Sequence, residues 1–518
     1  MANNRHAPFH WSLRLSSTAA RFAPQEPQLR QLSATLQQAG YTSHVLARVG
    51  LIGKAALPVH EQLIRCDGDE PLQVLCRVFL LATREPIHLV ERALAPCTVA
   101  GLISAGLLIG DADIVQATAA VVPLGDLYIL RDFSPAVAGK PAAADHVLAV
   151  GAASVLTESL TVRGQGETML DLGCGQGVQM LAARRHASRI IGTDINERAL
   201  QFAAMNLAIN SASAGKIAAT ELRLGSFFEP VEDLRNGFDL IVSNPPFVIT
   251  PSKDVVGFTS SLEGDGAVQT LFSQAPGFLR DGGWCIGPAC WYHRTPDDWS
   301  SRPSQWIAGK GVDAFIGRLR TYHPRDYAMK WLTETHPEVA PTAATVNEWT
   351  RMFEQLDGAG AVTFGFIVLR KRAGSNWIAA ESLDHDAGNG PAGEQLRRIF
   401  ESRTLLHALG NSPAASSGLL ERRYQASPHI TYSMRSHLQA DGWKNAAGML
   451  ATSPGFPWPL SADESAAMII GELARGQTPK QAITTLARRG GLDVNQALTM
   501  GSSLVRTLLE RGLLTPAR

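Results

Sequence analysis

The stretch from residue 168 to residue 247 constrains this chain more than any other. It opens with Thr168-Met-Leu-Asp171-Leu-Gly173-Cys174-Gly175-Gln-Gly177, a short apolar run that stops at an acid and breaks into three alternating glycines. It closes with Phe238-Asp-Leu-Ile-Val-Ser-Asn244-Pro245-Pro246-Phe247, a second apolar run that ends in two prolines and an aromatic ring. Between them Arg189-Ile-Ile-Gly-Thr-Asp194 is a third run closed by an acid. Helical patterns over 178–186 and 197–210 separate these runs, and 221–225 reads as a further strand. Strands alternating with helices predict a parallel sheet covered on both faces, an α/β fold.

The two ends of this stretch carry the chemistry. Glycines spaced G-x-G-x-G directly after an acid fit a pyrophosphate poorly, and they let the backbone approach a ligand closely. Asp171 is then placed to face a cationic group, and Asp194, about 20 residues on, to accept from ribose hydroxyls. The loop suits an adenosine that carries an amino acid. At the other end, consecutive prolines fix φ and remove two donors, so 244–247 is a stiff turn at a strand's C-terminal edge, where open α/β sheets bind ligands. Asn244 and the neighbouring carbonyls offer acceptors, and Phe247 offers a ring face. Together they suit a planar group bearing an NH2, either an amide or a base amine.

The combination resembles the class I S-adenosylmethionine-dependent methyltransferases of the Asn-Pro-Pro-aromatic group, over residues 146–372 of this chain. Within that group, Gly225-Ser226-Phe227-Phe-Glu-Pro230, Asn244-Pro-Pro-Phe-Val-Ile-Thr-Pro251 and Glu263-Gly-Asp-Gly266 are most similar to the release-factor glutamine methyltransferases (HemK-like). The resemblance implies a Rossmann-like sheet and S-adenosyl-L-methionine held by Asp171, Gly173, Cys174, Gly175, Gly177, Asp194, Ile195, Ser226, Phe227 and Asn244. It implies catalysis at Asn244, Pro245, Pro246 and Phe247, with methyl transfer to a protein glutamine, as in a release factor. An exocyclic amine of adenine or guanine in RNA or DNA is the alternative acceptor. Two departures stand out: Ser226 replaces the acid that relatives use for the adenine amino group, and Phe247 replaces the commoner Tyr. A protein that binds cofactor or scaffolds a partner without catalysis would keep the fold and lose the activity.

The totals narrow the partners. Lys+Arg and Asp+Glu both number 47, so the molecule as a whole makes no sequence-independent claim on nucleic acid. The six cysteines contain no C-x-x-C pair and no zinc spacing, which reads as a reduced, metal-free protein, with Cys174 as a packing residue. No apolar stretch reaches the ~20 residues that span a bilayer, so no membrane and a cytoplasmic location are expected.

At this length about three domains are expected. Residues 1–24 read as a flexible tail. Residues 25–132 read as a helical, winged-helix-like domain, with helices near 72–82, 87–95 and 98–108 and strands at 113–122 and 127–131. Between residues 72 and 132 there are four basic residues against six acids, which argues for packing or protein docking over DNA binding. Residues 133–145 and 373–390 read as linkers around the methyltransferase domain, 146–372. Within that domain, 291–357 is rich in Trp and Tyr and is expected to shape the substrate mouth, with strands at 283–287 and 361–370. Residues 391–518 read as a mainly helical domain with a strand-like segment over 419–434. Its mild basic excess reads as a solvated face.

Overall fold

The computed structural model describes residues 27–211, 218–251, 262–335, 340–383, 390–410, 412–445, 448–456 and 458–517. The expected tail, residues 1–24, lies outside the described residues. The chain divides into two compact units. Among the described residues, the first holds 27–154 and 165–235; the second holds 155–164, 236–251 and those from 262 on.

In the first unit, β1 (Glu167–Leu172), α1 (Val178–Ala183), β2 (Ala187–Asp194), α2 (Glu197–Ile209) and β3 (Ala219–Leu224) alternate as the sequence pattern requires. The strands are parallel in the order β1-β2-β3, with Leu172 opposite Thr193 and Asp194 opposite Leu224. That register brings three carboxyl-terminal strand ends side by side. Helix α2 starts at Asn196, whose side chain accepts from the Arg198 amide, and its face is almost wholly apolar and buried.

The preceding residues form helices at Pro27–Gln38, Ser43–Arg48, Val59–Arg65, Pro71–Phe79, Ile87–Leu94 and Val99–Ser104. A small sheet of Glu85–Pro86, Ile114–Ala117 and Leu108–Gly110 follows, then the hairpin Ala120–Leu124 with Leu127–Arg131. The winged-helix-like order is present with two corrections. The helix expected over 98–108 stops at Ser104, because Leu108–Gly110 is needed as a strand opposite Ile114–Ala117. The single strand expected over 113–122 is two, broken at Thr118, whose amide donates to Leu107 O.

This module is not a separate bead. Its buried Leu, Val and Tyr side chains share one core with Ala199, Phe202, Met205, Ala208 and Ile209 of α2. Asn206 and Asn210, one turn apart on α2, complete the hydrogen bonding of the hairpin's outer strand. Asn210 accepts from Tyr128 N (2.9 Å) and donates to Tyr128 O (2.7 Å), and Asn206 accepts from Leu130 N (2.6 Å) and donates to Leu130 O (3.0 Å). A strand edge buried without such partners would leave orphaned backbone groups.

In the second unit, β4 (Phe238–Ser243) runs parallel to β5 (Leu279–His293), which pairs antiparallel with β7 (Ala361–Lys371). β6 (Val312–Tyr322) pairs antiparallel with β7, and β8 (Ile378–Ser382) runs parallel to β6. The helices are α3 (Gly266–Gln274), α4 (Ser301–Ile307), α5 (Pro324–Thr335) and α6 (Ala343–Gln355). The strand expected over 283–287 is the middle of a much longer one. Strand β8 falls inside the segment expected to be a linker, 373–390.

The remaining residues add helices Gly393–Leu409, Pro413–Glu421, Glu464–Ala474, Pro479–Arg489 and Val494–Glu510 around a shared apolar core. Among the described residues seven short strands, from Tyr424–Ala426 to Leu514–Pro516, join them, and the region is mainly helical as expected. Residues 419–421 end a helix where a strand was expected. Helix Gly393–Leu409 packs on the strands: Phe400 meets Trp284 at 4.8 Å and Trp377 at 4.9 Å between ring centroids.

Candidate active site

The cofactor residues expected at the strand ends of the first unit do converge there. Gly173, Gly175 and Gly177 all have positive φ (70°, 53° and 81°), the left-handed region that side chains disfavour. At 177 a Cβ would also press on Ala203 Cβ at 3.2 Å, because α2 passes closely beneath the loop. At 173 and 175 a Cβ would meet nothing within 4 Å, so open space lies beside those two positions. The Cys174 amide donates to Thr193 O (2.8 Å). Its thiol is buried and held well above the usual thiol range, by burial first and by the nearby acids second, as a packing residue requires.

Asp194 ends β2 and ties the turn together. Its carboxylate accepts from Gly175 N and from Asn196 N, each at 2.8 Å, while its carbonyl accepts from Gly225 N at 2.9 Å. Burial pushes its carboxyl up, against the pull of these amides. Ile195, beside it, is 74% exposed, an apolar side chain presented rather than packed. Ser226 and Phe227 follow β3, both half-buried. Phe227 takes φ +46°, a strained conformation for a bulky residue and one that clusters at functional turns.

Asp171 is the unusual group. It is 1% exposed, and its Oδ2 has no hydrogen-bond partner. Burial, then the charge of Asp194, push its carboxyl up to about 8, with the Met180 amide opposing. A buried acceptor of this kind is costly unless a donor arrives, and a cation is the strongest donor. An orphaned carboxylate oxygen beside an open glycine cradle, with a second acid at the next strand end, fits an adenosine bearing a charged amino acid.

In the second unit, Asn244 follows β4 directly and is half-buried, as is Pro246, while Pro245 and Phe247 are buried. Phe247 does not present its ring as the sequence suggested. It is 7% exposed and lies 5.9 Å, edge-on, from Trp331 and 5.7 Å from Phe364. Two residues on, the Ile249 amide donates to Tyr327 Oη at 2.8 Å. Tyr327 and Trp331 stand one turn apart on α5, and Tyr327 is backed by Trp349 and Phe353 of α6. The aromatic stretch 291–357 therefore braces the Asn-Pro-Pro-Phe turn from behind. Its Trp and Tyr content was the available signal, but the particular residues had no pattern to single them out. Asp265 of the Glu-Gly-Asp-Gly segment is structural: it is 2% exposed and held by Arg302 through two hydrogen bonds of 2.6 and 2.8 Å.

Among the described residues, no group of three or more His, Cys, Asp or Glu side chains is placed to hold a metal ion. No helix among them is long and apolar enough to cross a membrane.

Residues 148–286 match the family described as the methyltransferase small domain. Residues 38–120 and 407–516 match two domains of unknown function, DUF7059 and DUF7782. The chain is 34% identical over 133 residues to the release factor glutamine methyltransferase of Xylella fastidiosa, covering 23% of this chain and 46% of that one. It is 38% identical over 96 residues to the same-named protein of Aliivibrio fischeri, covering 18% and 31%. It is also 34% identical over 131 residues to ribosomal RNA small subunit methyltransferase C of Escherichia coli, covering 25% and 32%. The chain thus spans less than half the length of each of these relatives.

Proposed function

We propose that this chain, whose residues 148–286 match the methyltransferase small domain, transfers a methyl group from S-adenosylmethionine to the side-chain amide nitrogen of a protein glutamine. The observation that carries the choice of acceptor is the burial of Phe247. A nucleobase must be splayed from its strand and stacked on an open ring, and this ring is committed to Trp331 and Phe364. An amide needs acceptors and no stacking platform.

In this reading Asp171 accepts from the cofactor's ammonium group, Asp194 from its ribose hydroxyls, and Ile195 covers the adenine face. The bound cofactor supplies a methyl group already activated by a sulfonium centre. Asn244 Oδ1 and the Pro245 carbonyl accept one amide hydrogen each. The nitrogen is thereby fixed, and its lone pair is turned toward the methyl carbon. The two prolines have no N–H to compete for those acceptors and hold φ, so the acceptors are preorganised. On accepting the methyl group the held nitrogen would release one proton to solvent, so no strong base would be required beforehand. Positioning of this kind supplies up to ~7–11 kcal/mol of a barrier in favourable cases.

Incubation with methyl-labelled cofactor, once with a purified release factor and once with total RNA, tests the acceptor. Label on a glutamine of the protein supports the reading; label confined to RNA overturns it.

The brace behind the turn gives a separate prediction. Tyr327→Phe deletes the acceptor for the Ile249 amide and leaves a buried N–H unpaired, costing about 1–3 kcal/mol locally. Steady-state kinetics should show kcat reduced about tenfold or more, since misplacing a catalytic group by ~1 Å costs on that scale, with cofactor affinity nearly unchanged. Weakened cofactor binding at normal kcat would contradict this role.

A further inference from the structure

Three observations in the first unit converge on one side chain. Asn206 is fully buried on α2 and bonds both ways to Leu130 in the outer strand of the N-terminal hairpin. Its amide nitrogen also donates to the carbonyl of Gln176, at 2.9 Å, inside the glycine loop. One turn earlier, Ala203 is the residue against which Gly177 closes. One amide thus bonds the loop that the proposed cofactor would occupy and the edge of the N-terminal module at the same time. Asn210, on the next turn, makes the matching two bonds to Tyr128, and its amide nitrogen goes on to Asn206 O at 2.8 Å, away from the loop.

We propose that Asn206 is a positioning residue for the cofactor loop and that the N-terminal module, through it, is a working part of the cofactor site. The inference rests on the cofactor reading given above. The physical reason is the cost of holding three successive loop glycines at positive φ. Glycine gains more freedom than any other residue when released, so the loop keeps its shape only while its carbonyls have fixed partners. Gln176 O finds one on Asn206, and Asn206 is itself held in one rotamer by the hairpin strand. A module that loosened from α2 would free the side chain and with it the loop.

Asn210 makes the test specific. Asn206→Ala and Asn210→Ala each remove one pair of strand bonds from the same helix, so a purely structural role predicts similar consequences. The inference predicts different ones. Without any ligand, hydrogen–deuterium exchange over residues 172–178 should accelerate about tenfold or more in Asn206→Ala and change little in Asn210→Ala. Titration of the full-length proteins with S-adenosylhomocysteine should show Kd raised at least about tenfold for Asn206→Ala and less than about threefold for Asn210→Ala. Asn206→Asp keeps the acceptor for Leu130 N and lacks the donor to Gln176 O, so its loop should exchange as fast as that of the alanine variant. Equal loop exchange in the Asn206 and Asn210 alanine variants overturns the inference. If wild type fails to bind S-adenosylhomocysteine, the cofactor reading falls, and the exchange comparison still decides the role of Asn206.

Discussion

Asn244→Ala is expected to slow turnover by orders of magnitude while leaving the cofactor where it binds. The side-chain carbonyl at the end of β4 is proposed to accept one amide hydrogen of the substrate, and that contact matters most as the nitrogen begins to bond carbon. Removing a single preorganised polar group that acts on the transition state costs about 10²–10³ in kcat. Because the contact is spent on the transition state, kcat and kcat/KM should fall together. Cofactor affinity, proposed to rest on Asp171, Asp194 and the glycine loop, should change less than about threefold. A stopped assay with labelled cofactor, run beside a binding titration on the same protein, separates the two quantities. A large loss of cofactor affinity with residual turnover would reassign Asn244 to the cofactor.

Asp171→Asn is expected to act in the opposite sense, raising the stability of the ligand-free protein while weakening cofactor binding. The folded carboxyl titrates near 8, far above its ordinary value, because it is buried with an unpartnered oxygen and faces the charge of Asp194. The folded state therefore holds the proton more tightly than the unfolded chain. Its contribution is fully present below the unfolded pKa, near 4, and is lost as pH rises through about 8. Asn keeps the shape without the charge, so the melting temperature of the variant should exceed that of wild type at pH 8.5, and the difference should shrink toward pH 5. In binding the carboxylate is the competent form. The wild-type Kd should tighten about tenfold per unit of pH up to about 8. The variant should bind on the order of 100-fold more weakly, since the ammonium loses its charged partner. Calorimetric titration across pH, with thermal melts on the same samples, measures both effects. A variant that binds the cofactor as wild type does would remove Asp171 from the site.

Much of the first unit was open to reading because its signals are local. An acid that ends an apolar run, followed by glycines at alternate positions, can hardly be anything but a strand end and a tight turn, and β1, β2 and α2 fall within two residues of their expected limits. The turn at 244–247 was legible for the same reason, since two prolines dictate φ whatever surrounds them. What stayed hidden depends on partners distant in sequence. Asn206 and Asn210 read as ordinary polar interruptions of an apolar helix; that they complete a strand some 80 residues earlier has no local signature. Phe247 read as a presented ring because its cover, Trp331 and Phe364, arrives from elements 84 and 117 residues later. Strand β6 lies among Trp and Tyr that suit a substrate mouth as well as a strand, and β8 follows Gly374 and Ser375, which resemble a linker. Each miss is a case of tertiary pairing overriding local pattern.

Methyl transfer as proposed requires the glycine loop to hold the cofactor and the Asn-Pro-Pro-Phe turn to hold the substrate amide in the same complex. The direct measurement is a crystal structure of the full-length protein with S-adenosylhomocysteine and a glutamine-containing peptide. The expected result is the ligand's ammonium on Asp171, and the glutamine amide donating to Asn244 Oδ1 and the Pro245 carbonyl with its nitrogen facing the sulfur. A cofactor bound at the glycine loop with Asn244 turned away from it, and the peptide amide elsewhere, would contradict it.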